Sequence, residues 1–332
     1  MASNSGRTMV PVLLGPTASG KSAVAMALAG ITPCEIISCD SRQIYRFMNI
    51  GTAKPSGEDR RQTPHRLIDI RDPSESYSAS AFAADALAAI RACIRKGHLP
   101  LIVGGTGLYF ESLRRGIGPL VDSDPVLRAK LMRRAAEEGS AVLHGELAVV
   151  DPEAALSIHD NDVQRIVRAL TVFHQTGAQI SMLRRAGCAP ADLEFSVAVM
   201  MPPRALLYER INRRVDGMLR MGLWEEFIAL RQRGYDESSP GLHCLGYKEL
   251  FAVQRGECSL DAAADRIKMN TRRYAKRQIT WFRVHNGDAI TFGNENFEAI
   301  AARVIAPFRA KCPPPERDGL PQSPSLSVIL PG

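Results

Sequence analysis

The residues Gly15-Pro16-Thr17-Ala18-Ser19-Gly20-Lys21-Ser22 fit the pattern G-x-x-x-x-G-K-[ST]. Glycines at its first and sixth positions let the backbone curl so that successive N–H groups point inward at phosphate oxygens. A helix starting there adds the positive end of its dipole. Lys21 then reaches a terminal phosphate and the Ser22 hydroxyl can hold Mg²⁺. These eight residues predict a cradle for a di- or triphosphate. A nucleotide kinase, an NTPase and an enzyme that expels diphosphate from carbon all need the same cradle. A GTPase would add an N-K-x-D motif to read its base, and the sequence has none. Asp40 closes the run Ile36-Ile37-Ser38-Cys39-Asp40. It suits three roles: an acid beside Mg²⁺, a helix cap or a general base.

A second constellation is electrostatic. Between Arg266 and Arg283 stand Arg266, Lys268, Arg272, Arg273, Lys276, Arg277 and Arg283, with no acid among them. Ile267, Tyr274 and Trp281 recur every seven residues and predict an apolar stripe on a helix. Lys268, Arg272 and Lys276 fall on one flank, Arg273 and Arg277 on the next. Such a face can simply meet solvent. Beside a phosphate cradle and a net charge of +7, a track for a nucleic-acid backbone is the better reading.

The surrounding elements read as an α/β fold. Val10–Leu14, Ile36–Ile37 and Leu99–Val103 are short apolar strands, and helical patterns cover Ser22–Ala29 and Ala79–Arg95. This alternation predicts a parallel sheet, with ligands beyond the carboxyl ends of its strands. Gly15, Asp40 and Thr106 all fall at that edge. From about residue 121 the pattern turns helical, through Leu131–Leu147 and Asp162–His174, until a strand at Phe195–Met201. Residues 121–189 therefore read as a helical insertion into an α/β core of 8–120 and 190–312, whose helices run from Arg204 to about Val284. Residues 313–332, with six of the 21 prolines, read as a disordered tail. Seven cysteines without paired C-x-x-C spacing argue against a disulfide framework or a structural zinc site. No apolar run reaches the ~18 residues of a membrane span, and the N-terminus lacks the apolar stretch of a secretory signal. A cytoplasmic location with no membrane contact is expected.

Eight separated strings, in order across residues ~10–285, resemble the tRNA dimethylallyltransferases (tRNA isopentenyltransferases). They are Gly15–Ser22, Ser38–Tyr45, Ile50–Pro55, Pro64–Leu67, Gly104–Tyr109, Asn161–Arg165, Gly246–Glu249 and Thr271–Gln278. The resemblance implies a P-loop NTPase-like parallel-sheet core with a helical insertion that grips the anticodon stem-loop. It implies transfer of a dimethylallyl group from dimethylallyl diphosphate to the exocyclic amine of the adenine 3′ of the anticodon. The tRNAs are those reading codons that begin with U, and diphosphate is released.

On this resemblance, Asp40 is the base that takes the amine proton and Thr106 donates to the leaving oxygen. Lys21 and Arg272 stabilise the departing diphosphate in a cradle of Gly15, Pro16, Thr17, Ala18, Ser19, Gly20, Lys21 and Ser22, with Mg²⁺ on Ser22. The tRNA-contacting positions fall on Asp40, Ser41, Arg42, Gln43, Thr106 and Arg128, and on Gln164, Arg165, Ile166, Val167 and Arg168. They continue at His243, Cys244, Leu245, Gly246 and Tyr247, and at Arg273, Lys276 and Arg277. A single subunit is expected. An isopentenyltransferase acting on free AMP would have no use for the insertion or the basic helix. Two positions depart from the family pattern. Cys39 replaces a small apolar residue beside Asp40, which suggests a thiol whose modification blocks the site, and His243 replaces a frequent glutamine.

Overall fold

The computed structural model describes residues 7–116, 124–187, 189–285, 290–293 and 295–309. The proline-rich tail, residues 121–123 of the expected insertion, Cys188 and Cys312 lie outside them. Strand β1 (Thr8–Leu14) leads through the glycine-lysine loop into α1 (Lys21–Ala29), and β2 (Cys34–Cys39) follows. A long connection holds α2 (Gly57–Gln62) and β3 (His65–Arg66). Helix α3 (Ala79–Arg95), β4 (Leu99–Gly104) and α4 (Gly107–Arg115) complete the first half. Helix α3 starts at Ser78, whose side chain accepts from the Ala81 N–H, and its apolar face buries Phe82, Ala86 and Ile90. The sheet resumes with β5 (Leu193–Met200), after five helices described below.

All strands are parallel, in the order β3-β2-β4-β1-β5, with β6 (Ile290–Phe292) at the far edge. Strands β1 and β4, at the centre, are almost wholly apolar because both faces are covered. Leu13, Val24, Leu28 and Ile36 pack on one face, joined there by Ile300 and Val304 of α14 (Phe297–Arg309). Val10, Val12, Ile37, Phe82 and Phe110 pack on the other.

The intervening helices are α5 (Pro125–Glu137), α6 (Ser140–Val150), α7 (Pro152–Ser157), α8 (Val163–Thr176) and α9 (Ile180–Arg185). They bury a cluster of their own, with Leu131, Leu143, Leu147, Ile166 and Leu170 at its centre. The helical stretch expected through Leu131–Leu147 is divided between α5 and α6. Gly139 lies between them at φ 92°, a backbone conformation that glycine adopts without the steric penalty of a Cβ. After β5 come α10 (Arg204–Arg220), α11 (Leu223–Gln232), α12 (Tyr247–Gln254) and the 26-residue α13 (Leu260–His285). A third core beneath the site joins Ile44, Met48, Phe227, Leu242, Tyr247 and Ile267.

Candidate active site and nucleic-acid interface

Strand register decides where the chemistry sits. Leu14 pairs with Gly104, and Cys39 pairs with Gly104 from the other side. The three central strands therefore end at one level, with the phosphate loop, the Gly105-Thr106 turn and Asp40 side by side. Adjacent strands lie about 4.8 Å apart, so all three fall within reach of one small molecule. Close approach is enforced at Gly104, where a Cβ would stand 2.0 Å from the Cys39 carbonyl oxygen.

In the phosphate loop, Gly15 (φ 151°), Ala18 (φ 62°) and Gly20 (φ 100°) supply the curl. The Lys21 ammonium folds back over the loop and donates to the carbonyls of Gly15 (2.9 Å) and Pro16 (2.7 Å). Burial pulls its pKa down to about 7, helped by the neighbouring Arg214 charge and opposed by Asp40. Not every loop amide points inward as expected. The Thr17 N–H donates to Gln278 Oε1 (2.9 Å) and the Ser19 N–H to the Pro16 carbonyl. The amides of Lys21, Ser22 and Ala23 open α1 and, as first-turn N–H groups, have no carbonyl acceptor within the helix. Ser22 is exposed. Arg214 of α10, which the sequence reading passed over, donates to Thr17 Oγ1 (3.3 Å). Burial lowers its pKa and Asp40 raises it. Arg272 of α13 donates to Asn212 Oδ1 (2.7 Å), two residues before Arg214 on α10.

Asp40 is pinned on one side. Its Oδ1 accepts from the backbone N–H groups of Arg42 (2.8 Å) and Gln43 (3.3 Å). Residues 41–44 form a turn and no helix starts there, so Asp40 fastens a turn and is not a helix cap. Oδ2 has no partner among the described residues. The Thr106 hydroxyl accepts from the Ser41 N–H at 3.0 Å, which leaves its proton to donate elsewhere. Cys39 is fully buried, its thiol directed at the Thr106 carbonyl (3.6 Å), and burial pushes its pKa up. A buried thiol in this state is inert, so the expected sensitivity to thiol reagents does not follow from its neighbourhood.

Helix α13 floors the site. Its buried side carries Ile267, Ala275, Gln278 and Phe282. Tyr274 and Trp281, expected at the centre of the stripe, are only half-buried. A straight helix lags a seven-residue repeat by about 20° per heptad, which turns these two to the margin. Lys268 pairs with Asp216 (2.6 Å), whereas Arg273, Lys276 and Arg277 are exposed. Those three line an open cleft of about 510 Å³ with Trp281 and His285, whose rings stack at 4.4 Å. A basic cleft with a stacked aromatic wall suits a nucleic-acid strand.

A family described as IPP transferase matches residues 43–285. The chain belongs to the IPP transferase family. Among its relatives, a tRNA dimethylallyltransferase of Alkalilimnicola ehrlichii is 47% identical over 284 residues, 85% of this chain and 90% of that one. Another, of Halorhodospira halophila, is 46% identical over 82% of this chain and 90% of its own. The fold is similar to the crystal structure of a tRNA isopentenylpyrophosphate transferase from Bacillus halodurans. That likeness has a TM-score of 0.66 at 36% identity, covering 92% of this chain and 96% of that one. It is also similar to a eukaryotic dimethylallyltransferase acting on tRNA, with a TM-score of 0.74 at 27% identity over 93% and 81% of the two chains.

In this IPP transferase the remaining candidate contacts divide by burial. Arg128, Gln164 and Arg165 are surface residues of the insertion. Arg128 donates to Gln164 Oε1 (2.6 Å), and Arg165 pairs with Asp162 (3.3 Å). Arg168 stands on α8 with them. Ile166 and Val167 are wholly buried in the insertion's core, so their side chains pack the helices and do not face a ligand. Cys244 and Tyr247 are likewise buried. The Tyr247 hydroxyl donates to Glu226 Oε1 (2.6 Å), and the Glu226 carboxylate also accepts from the N–H groups of Asn49, Ile50 and Gly51. Gln43 is engaged inward as well, accepting from Ser38 and donating to the Thr52 and Ala53 carbonyls. Arg42 reaches the Pro240 carbonyl (3.3 Å). Exposed His243 meets the Glu237 carbonyl (2.6 Å). Leu245 is half-buried, and Gly246 (φ 102°) opens α12. Much of the 38–55 stretch thus builds the wall of the site, while Asp40 and Ser41 are placed to face it.

Proposed function

We infer that this protein transfers a dimethylallyl group from dimethylallyl diphosphate to the exocyclic amine of the adenine 3′ of the anticodon, in tRNAs reading codons that begin with U. Membership of the IPP transferase family and the names of its relatives support the reaction class. The observation that carries the mechanism is the row of phosphate loop, Thr106 and unpartnered Asp40 Oδ2 at the ends of three neighbouring strands. In the reaction, the amine lone pair forms the new N–C bond. The allylic C–O bond breaks and its electron pair leaves with diphosphate. The amine proton passes to Asp40 Oδ2. Negative charge growing on the leaving group meets Lys21, Arg214, the α1 amides and the Thr106 hydroxyl, with Arg272 behind them. A stacked adenine cannot reach this row and must be turned out of its loop.

Among the described residues no group of three or more His, Cys, Asp or Glu side chains could hold a metal. Ser22, exposed in the first turn of α1, offers one hydroxyl oxygen and so fits a Mg²⁺ that arrives on the diphosphate and keeps most of its water. Bound there, the ion would offset leaving-group charge. The insertion surface at Arg128, Gln164 and Arg165 and the cleft at Arg273–Arg277 are the proposed tRNA contacts, and the enzyme is proposed to act as a single subunit. Among the described residues no helix is long and apolar enough to cross a membrane.

The test is incubation with dimethylallyl diphosphate and either an anticodon stem-loop or AMP. Diphosphate release and a five-carbon addition to the stem-loop, without ATP, are expected. Turnover of AMP alone, or phosphoryl transfer from ATP, would refute the assignment.

A further inference from the structure

Gln278 sits in the middle of α13 on its buried side, 7% exposed, where an apolar residue would avoid the cost of desolvating an amide. Both ends of that amide are used. Its Oε1 accepts from the Thr17 N–H in the phosphate loop (2.9 Å), and its Nε2 donates to the Gly105 carbonyl beside Thr106 (2.8 Å). The fit is close, since a Cβ on Gly105 would stand 2.6 Å from Nε2. The two loops hang from different strands, and Gln278 binds a backbone group in each. Lys276 and Arg277, immediately before it, face outward to the basic cleft.

We propose that Gln278 is a positioning residue that sets the diphosphate-holding loop against the Thr106–Asp40 side of the site. This rests on the transferase reading above. Gln278 need not touch substrate; it fixes the distance between the leaving group and the residues that act on the incoming amine. A misplacement of about 1 Å between reacting groups can cost on the order of 100-fold in rate. Gln278→Leu keeps similar volume and removes both bonds. Gln278→Glu keeps the acceptor for Thr17 and, when ionised, sets an oxygen against the Gly105 carbonyl.

Single-turnover transfer to an anticodon stem-loop, with the folded fraction measured by thermal melting, gives the expected result. Per folded molecule, kcat falls about 10- to 100-fold in Gln278→Leu and is also lowered in Gln278→Glu, while KM for the stem-loop stays within about twofold of wild type. Unchanged kcat per folded molecule in both variants, or a loss confined to the folded fraction, would overturn the proposal. A rise in stem-loop KM at constant kcat would overturn it too, by making Gln278 part of the RNA grip. The unaltered protein in the same assay separates the two levels. If it adds no five-carbon unit, the transferase reading fails, and the positioning role with it. If it does and the variants match it, only the role of Gln278 fails.

Discussion

The ammonium of Lys21 offers the sharpest test of the cradle, because its charge is conditional. Burial brings its pKa down to about 7, yet a diphosphate wants it protonated. A ligand that binds only the charged form sees an affinity reduced by the charged fraction. At pH 8 about one molecule in eleven is charged, a loss of about tenfold, or ~1.4 kcal/mol. At pH 9 the loss is about 100-fold, ~2.7 kcal/mol. The sign follows directly. Binding draws a proton onto Lys21 whenever the pH lies above 7, so affinity falls as pH rises and flattens below 7. Phosphate completes its own second ionisation near pH 6, so it does not supply this slope. Calorimetric titration of dimethylallyl diphosphate from pH 7 to 9, in two buffers of different ionisation enthalpy, reads both affinity and proton uptake. Lys21→Arg, charged throughout this range, should remove slope and uptake. A flat affinity between pH 7 and 9, with no proton taken up, would refute the reasoning.

Other perturbations separate chemistry, RNA binding and stability. Asp40→Ala should lower turnover by about 10²–10⁴-fold in rapid-quench assays, with stem-loop affinity retained; near-normal rates would remove Asp40 from the proton transfer. Replacing Arg273 and Arg277 together by Ala should weaken stem-loop binding and reduce the slope of log K against log salt by about 0.7 to 0.9 per lost phosphate contact. An unaltered slope would leave that face to solvent. Glu35, buried at the opposite end of β2, accepts from Arg66 (2.6 Å), Lys96 (3.1 Å) and His98 (3.2 Å). The Arg66 hydrogen bond, chiefly, holds its carboxyl down at about 2. Its stabilisation is present above about pH 4.5 and is lost as pH falls toward 2. With partners half in water, Glu35→Ala should cost about 1–3 kcal/mol at neutral pH, read by thermal melting, with single-turnover rates intact.

The parts of the site that sequence made legible are the ones built locally. Gly15–Ser22 and the end of β2 carry their conformation within a few residues. The α3 limits, Ala79–Arg95, follow from the Ser78 cap and an alanine-rich face. Arg214 and Gln278 depend instead on how helices cross the loop. A signal existed for both. Leu207, Ile211, Val215 and Met218 are buried on α10, and Arg214, three residues after Ile211, flanks that face and is exposed as it reaches the loop. Ala275, Gln278 and Phe282 recur in the same way on α13. In both cases a polar residue stands on or beside the apolar face of a helix: Gln278 within it, buried, and Arg214 at its margin. Strands β3 and β6, of two and three residues, are too short to show a period. Helix α14 has an apolar repeat at Ile300, Val304 and Phe308 and lies beyond Val284, where the expected helices stop. Ile166, Val167 and Tyr247 show the reverse problem. They stand in strings matched to RNA contact, yet their apolar bodies pack the scaffold that presents their polar neighbours.

Helix α13 joins two kinds of interaction with different dependence on the medium. Its outward charges act through water and are screened within about 10 Å at 0.1 M salt. Its inward bonds, from the Gln278 amide to the Thr17 and Gly105 backbone, are neutral, short and sheltered. If RNA is seated on the outward charges as proposed, salt weakens that seating without acting on the register of the two loops. A cation in place of Gln278 would be buried close to Lys21 and Arg214, where burial and like charge would depress its ionisation. An uncharged amide holds the loops without adding a net charge where the diphosphate is proposed to leave, and that leaves Lys21, Arg214, Arg272, the Thr106 hydroxyl and the α1 amides to set the field.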